Sequence, residues 1–153
     1  MKKYLLTKLI AIFLLAVTIT SCDAILDQEE IDFGKGPVLT TFTKTETEVN
    51  IIKDVANTPR DFSFEISYSG GKNVALNKDV TVTIATKSTS EAKEGKEFEL
   101  PVKTFTIPAG KTSATATIKI LTAGLVPFDF KDIVLEITDS SESIAEKNTI
   151  TIT

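Results

Sequence analysis

From Val38 to Thr153, apolar and polar side chains alternate in short runs that turn residues separate. The clearest run is DFSFEISY at 61–68, in which aromatic or aliphatic side chains occupy every second position. Such alternation is typical of a β-strand that has one face in the core and the other in solvent. The pattern predicts seven strands, at 45–52, 61–68, 79–86, 102–107, 113–121, 132–138 and 148–153.

Turn residues occupy the breaks between these runs. The segment SGGKN at 69–73 ends the second predicted strand, and PAGK at 108–111 joins the fourth strand to the fifth. Gly, Pro and Asn favour turns because of their backbone preferences, and no stretch after the N-terminal segment has a helical apolar period. We therefore predict an all-β fold for residues 38–153, a single antiparallel, immunoglobulin-like β-sandwich of about seven strands.

The first 21 residues follow a different pattern. Three lysines precede an uninterrupted apolar run at 9–17, and small residues follow the run. This order is typical of a secretory signal, and the run is about half the roughly 20 residues that a membrane-spanning helix needs. Residues 1–21 are therefore predicted to be a signal peptide.

The only cysteine of the chain, Cys22, stands at the end of this segment. The sequence ITSC at 19–22 resembles a bacterial lipobox, which implies cleavage before Cys22 and lipidation of its thiol. Two or three acyl chains hold a protein stably on a membrane, whereas a single chain binds only marginally. The alternative is a secreted protein in which the cysteine is incidental.

Residues 22–37 are acidic and end in Gly and Pro, so we predict that they form a tether between the lipid and the domain. They also resemble the start of outer-membrane lipoproteins of the Bacteroidota, where acidic residues after the cysteine direct export to the cell surface. In other bacteria, an aspartate directly after the cysteine, as at Asp23, marks retention at the inner membrane. We therefore expect the protein in the cell envelope, at the outer membrane. Exposure on the cell surface is a further expectation.

The composition excludes several classes of chemistry. The chain has no histidine, which excludes Ser-His-Asp or Cys-His nucleophiles, histidine-ligated zinc and an imidazole base. Its single cysteine cannot form an internal disulfide. Removal of residues 1–21 takes away three lysines and no acid, which lowers the net charge from −4 to −7 and disfavours nucleic acid as a partner.

Three later segments together carry a family resemblance. They are VTVTI at 80–84, SEAKEGKEF at 90–98 and FTIPAGKTSA at 105–114. A strand is followed by a segment of small and acidic residues, an aromatic strand, a Pro-x-Gly turn and a Thr-rich strand. This order resembles Calx-beta domains and the Calx-beta-like domains of Bacteroidota lipoproteins. The sequence departs from the family at Glu97-Phe98, where Asp-Tyr is usual, and at Lys131-Asp132, where Asn-Glu is usual.

Alternate loops of an up-and-down sandwich lie at the same end, so the loops at 53–60, 87–100 and 122–131 are expected to meet. Calcium binds six to eight oxygen atoms, and the family resemblance implies calcium sites in loops at this end. Interleaved lysines favour the alternative of a solvated, salt-bridged surface. The candidate calcium ligands are the acids of these loops: Asp54, Glu91, Glu94, Glu97, Asp129 and Asp132.

Phe128 and Phe130 flank Asp129 in the last of these loops. Their rings are expected to cover the end of the sandwich or, as the alternative, to contact a sugar or a protein partner. We expect a binding or interaction module without catalytic residues and without a cofactor other than the candidate calcium. Its partner would be an envelope protein or a glycan, and a calcium-binding or structural, adhesin-like domain is the alternative function. A hydrolase that uses loop carboxylates is the remaining class.

Overall fold

The computed structural model describes residues 36–53, 55–71 and 75–153, all of which belong to one compact unit. The predicted signal segment 1–21, Cys22, most of the tether and Asp54 lie outside the described residues, so what the sequence predicts for them stays a prediction. None of the helical structure in the described part of the chain is long and apolar enough to cross a membrane.

The described residues form two five-stranded sheets, in the orders β5-β7-β3-β1-β9 and β2-β10-β8-β4-β6. The predicted all-β sandwich is therefore confirmed. A short 3-10 helix, Thr122–Gly124, follows β7. The strands are β1 (Val38–Phe42), β2 (Glu46–Thr47), β3 (Arg60–Gly70), β4 (Val80–Thr86), β5 (Phe98–Glu99), β6 (Thr104–Ile107), β7 (Ser113–Ile120), β8 (Ile133–Ser140), β9 (Ser143–Ile144) and β10 (Thr149–Ile152).

The strand count corrects the prediction of about seven, because the described residues form ten. The first predicted strand, 45–52, shortens to Glu46–Thr47, and β1, β5 and β9 were not predicted. In β1 the fully buried residue Thr40 occupies a core position, and its hydroxyl donates to the Ser143 carbonyl oxygen at 3.1 Å. A polar residue in the core hides the alternation, and β5 and β9 are too short to show a period.

The sandwich is also not wholly antiparallel. Strand β1 pairs with β9 in parallel, and β2 pairs with β10 in parallel, whereas the longer ladders are antiparallel. Both exceptions arise where the chain crosses from one sheet to the other, at 43–45 and at 145–148. The same two segments, 39–47 and 143–152, therefore run in parallel on both sides of the crossing and change sheets together.

The core lies between the two sheets and follows the predicted alternation. In β4, Val80, Val82 and Ile84 are fully buried, and Ile66 at the centre of β3 is fully buried as well. The rings of Phe42 and Phe64 meet between the strands at a centroid distance of 5.8 Å, in a tilted arrangement. Burial of these apolar faces is what holds one sheet on the other.

The 11 residues of β3 run from one end of the sandwich to the other, roughly 33 Å at about 3.3 Å per residue. We call the end at Arg60 the open end; its loops are residues 48–59, 87–97 and 121–132. The end at Gly70 is the closed end. The first strand enters at the closed end, because Val38 pairs with Gly70 while Phe42 pairs with Ile66.

Candidate functional site

The three loops of the open end surround a cleft of about 370 Å³, so the expected meeting of these loops is confirmed. A cleft of this volume is in the range that accommodates small ligands, roughly 300–1,000 Å³. Its lining is largely apolar, with a few polar and charged groups. It is formed by Val49, Asn50, Ile51, Lys53, Ala92, Glu97, Ile120, Gly124, Leu125, Val126, Pro127, Phe128, Asp129, Phe130, Lys131, Ile133, Ile152 and Thr153.

Exposed apolar side chains are concentrated at this end. Among the described residues, six large hydrophobic side chains are exposed, and only Val102 lies outside the loops of the open end. Concentrated apolar exposure marks binding surfaces, because isolated soluble domains seldom retain it. We call the other five the apolar rim: Ile52, Val55, Val126, Phe128 and Phe130.

Phe128 is held in an unusual backbone conformation. Its φ of 64° lies in the left-handed region, which costs free energy for a bulky side chain, and the Asp129 amide donates to the Val126 carbonyl oxygen at 3.1 Å across the turn. Phe128 is 94% exposed and Phe130 is 78% exposed. The rings therefore do not cover the end of the sandwich, and the exposure favours the alternative of contact with a partner.

Glu97 lies at the base of the cleft with only 3% of its surface exposed. Its carboxylate accepts hydrogen bonds from the Lys93 amide at 2.8 Å and from the Lys131 ammonium at 3.2 Å, and it pairs with Lys96 at 3.1 Å. Burial alone would raise the pKa of Glu97, but these donors lower the pKa by more, from 4.5 to about 2. Glu97 is therefore a carboxylate throughout the neutral range.

Lys131 connects this buried carboxylate to the cleft opening. Its ammonium lies 3.2 Å from Glu97 and 3.2 Å from Asp129, whose side chain is 45% exposed. Hydrogen bonds from the Lys131 ammonium to Glu97 and to Asp129 raise the pKa of Lys131. Glu97, Lys131 and Asp129 thus form a charged chain from the interior to the rim.

Further contacts connect the three loops to one another. The Lys53 ammonium donates to the carbonyl oxygens of Ala123 at 3.4 Å and Leu125 at 3.2 Å. The Leu121 amide donates to the Glu97 carbonyl oxygen at 2.8 Å. Gly124 packs so closely that a Cβ atom there would overlap the Lys96 carbonyl group. These contacts fix the cleft walls before any ligand arrives, which lowers the entropic cost of binding.

The candidate calcium ligands that the structure describes do not converge on one site. Glu94 contacts the Thr86 hydroxyl at 3.0 Å and Lys103 at 3.3 Å, and Asp132 accepts from the Thr153 hydroxyl at 2.7 Å. Glu91 is exposed, and Glu97 and Asp129 are joined through Lys131. In the described part of the chain, no group of three or more acidic side chains is placed to hold a metal ion. Calcium binding stays a prediction without support from this arrangement.

Sequence reasoning missed the burial of Glu97 and the role of Lys53. Glu97 stands in a segment where charged residues surround it, KEGKEFEL at 93–100, and this mixture is typical of a solvated loop. The only local signal is its position before Phe98, which is fully buried. Lys53 carries no local signal, because its carbonyl partners lie about 70 residues further along the chain.

Solved structures with the same architecture place the fold in a known class. The apo-form Calx CBD1 domain aligns with a TM-score of 0.56 at 14% identity, over 76% of this chain and 95% of that domain. The fold is therefore a Calx-beta-like β-sandwich, as the sequence resemblance predicted.

Two proteins from Bacteroides ovatus are also similar. A proposed carbohydrate-binding protein aligns with a TM-score of 0.59 at 13% identity, over 74% of this chain and 36% of its own length. A protein of unknown function aligns with a TM-score of 0.58 at 16% identity, over 76% of this chain and 45% of its own length. This chain therefore spans less than half of either Bacteroides protein. No protein-family model and no curated protein matches the sequence.

Proposed function

We propose that this protein is a non-catalytic binding module of the cell envelope that captures its partner at the open end. The observation that carries the proposal is the apolar rim, three of whose exposed side chains, Val126, Phe128 and Phe130, line a preformed cleft. Apolar side chains in solvent are unfavourable for an isolated domain and become favourable when a ligand covers them.

The carboxylates of the cleft support a non-catalytic role. A general acid must hold a proton near neutral pH, but the Lys93 amide and the ammonium groups of Lys96 and Lys131 keep the pKa of Glu97 at about 2. The Asp129 carboxylate is paired with the same lysine, Lys131. Glu97 therefore does not supply the proton-donating acid that glycoside hydrolysis requires.

The anchor is proposed to be the lipid on Cys22, at the outer membrane and exposed on the cell surface. The first strand begins at Val38 at the closed end, so a tether that precedes it enters the domain at the end opposite the cleft.

A glycan is the favoured partner class. One structural neighbour from Bacteroides ovatus is a proposed carbohydrate-binding protein, and exposed phenylalanine rings offer flat apolar faces for sugar rings. An envelope protein is the second candidate, because the rim also contains aliphatic side chains such as Ile52 and Val55. The acidic charge of the chain argues against nucleic acid.

The binding proposal is tested by comparing wild type with a rim variant, Phe128→Ser/Phe130→Ser, as bait for separated glycan and protein fractions of the envelope. Wild type is expected to retain a component that the rim variant loses. Val102→Ser is the matched control, because Val102 is exposed but does not line the cleft, and it should bind like wild type. Equal retention by all three baits would exclude the open end as the binding site.

Anchorage is tested separately by Cys22→Ala. We expect this variant to leave the membrane fraction, and protease treatment of intact cells should cleave the wild-type domain if it is on the surface. A variant that stays in the membrane fraction, together with wild type that carries no lipid, would overturn the lipid anchor without affecting the binding proposal.

A further inference from the structure

The ionised groups that line the cleft balance one another. Among the described residues of the lining, two are cationic, Lys53 and Lys131, and two are anionic, Glu97 and Asp129. Lys131 contacts both carboxylates, and Lys53 is directed to backbone carbonyl oxygens. A charged ligand would have to displace these contacts or stay unpaired in a partly desolvated site, and both carry a cost.

The cleft nevertheless offers hydrogen-bonding groups beside its rings. Asn50 is exposed in the lining, and its amide has both donors and acceptors. An ammonium group has three N–H donors, and Lys131 directs two of them to Glu97 and Asp129. The Asp129 carboxylate is half-exposed at the same place, so a donor and an acceptor lie side by side next to Phe128 and Phe130.

We propose that the ligand of this cleft is an uncharged glycan, whose ring faces pack on Phe128 and Phe130 and whose hydroxyl groups bond to Lys131, Asp129 and Asn50. The inference rests on the proposed binding function at the open end. A pyranose ring matches the cleft because its C–H faces are apolar while its rim carries hydroxyl groups that both donate and accept. A wholly apolar occupant, such as a lipid tail or an aliphatic peptide, would bury the Asn50 amide without a partner and would desolvate the Asp129–Lys131 ion pair.

The charge balance has a measurable consequence. Contacts between an ionic ligand and a charged site weaken with salt, because ions screen the attraction. An uncharged glycan makes no such contact, so its affinity should change by less than about twofold between roughly 0.05 and 0.5 M NaCl. Loss of one aromatic platform should weaken binding by on the order of tenfold, the equivalent of about 1.4 kcal/mol.

The test uses the full chain, reconstituted in vesicles of uncharged phosphatidylcholine, on an array of neutral, uronic-acid-containing and amino-sugar-containing oligosaccharides. Wild type should bind neutral oligosaccharides with an affinity that does not depend on salt. Phe128→Ala and Phe130→Ala should each lose on the order of tenfold in affinity. Asp129→Ala should weaken binding while its unfolding midpoint stays near that of wild type. Val102→Ala is the control and should bind like wild type.

The two proposals fail in different ways. Binding confined to charged glycans would overturn the neutral-glycan inference and leave the proposed binding module intact. The same would follow if the rim captured a component that protease destroys but glycosidase does not, because that component would be a protein. Rim-dependent adhesion of the unlipidated Cys22→Ala chain to bare vesicles would also overturn it, in favour of a membrane surface. Failure of wild type to bind any glycan or any envelope component through its rim would overturn both proposals.

Discussion

The two ends of this sandwich use their side chains in opposite ways. At the closed end, the buried residue Tyr68 donates its hydroxyl to the Lys111 carbonyl oxygen at 2.7 Å and accepts from the Leu76 amide at 2.8 Å. The Ala109 amide donates to Asp79 at 2.8 Å. At the open end, Phe128 and Phe130 are in solvent, and one of the buried polar residues, Glu97, is a carboxylate.

The difference separates a stabilising end from a binding end within one fold. The closed end buries the Tyr68 ring and joins its turns through hydrogen bonds to the Tyr68 hydroxyl and to the Asp79 carboxylate. The open end joins its loops through charges, at Glu97, Lys131 and Lys53, so its apolar side chains are left for a partner. Changes at the two ends should therefore have separable consequences.

Matched glycine substitutions give the largest expected effect. A Cβ at Gly124 would overlap the Lys96 carbonyl group, and a Cβ at Gly70 would overlap the Pro37 carbonyl oxygen. In addition, the φ of Gly70 is 102°, a value that residues other than glycine rarely adopt. Both Gly124→Ala and Gly70→Ala should lose about 3 kcal/mol in the free energy of unfolding. Only Gly124→Ala should also weaken binding at the cleft.

Urea unfolding followed by circular dichroism, with binding measured on folded protein, tests this pair. If Gly70→Ala abolished binding while the protein stayed folded, the two ends would not be independent.

Glu97→Gln should lower the free energy of unfolding by about 2 kcal/mol at pH 7, because a neutral amide replaces the buried partner of Lys96 and Lys131. The folded-state pKa of Glu97, about 2, lies below its ordinary value of 4.5. Its contribution is therefore present above pH 4.5 and is lost as the pH falls towards 2.

The stability difference between wild type and Glu97→Gln should accordingly shrink between pH 4.5 and 2, as thermal unfolding at several pH values would show. Glu91→Gln is the control in the same segment, because Glu91 is exposed, and it should stay close to wild type. A difference that does not change with pH would exclude charge as the cause.

Tyr68→Phe should cost about 1–2 kcal/mol, because the Leu76 amide and the Lys111 carbonyl oxygen both lose their partner in a partly buried place. Binding at the cleft should not change, since the substitution lies at the closed end. Loss of binding in a folded Tyr68→Phe protein would contradict the separation of the two ends.

Lys53→Met should have the smallest effect on stability, below about 1 kcal/mol, because the ammonium is exposed. The amides of Gly124 and Leu125 should nevertheless exchange with solvent faster, since Lys53 holds the segment that contains them. The amide of Gly110, bonded to the Leu76 carbonyl oxygen at the closed end, is the internal reference. Unchanged exchange at Gly124 and Leu125 would show that Lys53 does not hold this loop.

Sequence reasoning predicted the parts of the fold that depend on local pattern. The alternation in β3 and β4 predicted buried Ile66 and Val82, and the turn residues separated the longer strands correctly. It failed at β1, where buried Thr40 satisfies its hydroxyl on a carbonyl oxygen about 100 residues away. Alternation cannot distinguish such a threonine from one in solvent.

The same limit applies to the candidate site. Phe128 and Phe130 were candidates because phenylalanines beside a proline and an aspartate are unusual in a loop, but their exposure depends on the left-handed turn at Phe128. The predicted acids include Glu97 and Asp129, yet nothing in the local sequence indicates that Lys131 joins them. The prediction of a signal segment that ends at Cys22 differs from these, because such a signal is recognised from the linear sequence and does not depend on tertiary structure.

By itself, the sequence determined an all-β sandwich with a Calx-beta-like order of segments and the meeting of three loops. Each depends on residues close together in the chain or on the regular return of strands. The tertiary structure alone decided that Glu97 is buried between lysines, that Lys53 holds a distant loop, and that three exposed apolar side chains line one cleft. These properties depend on contacts between residues about 30 to 70 positions apart, which no local periodicity records.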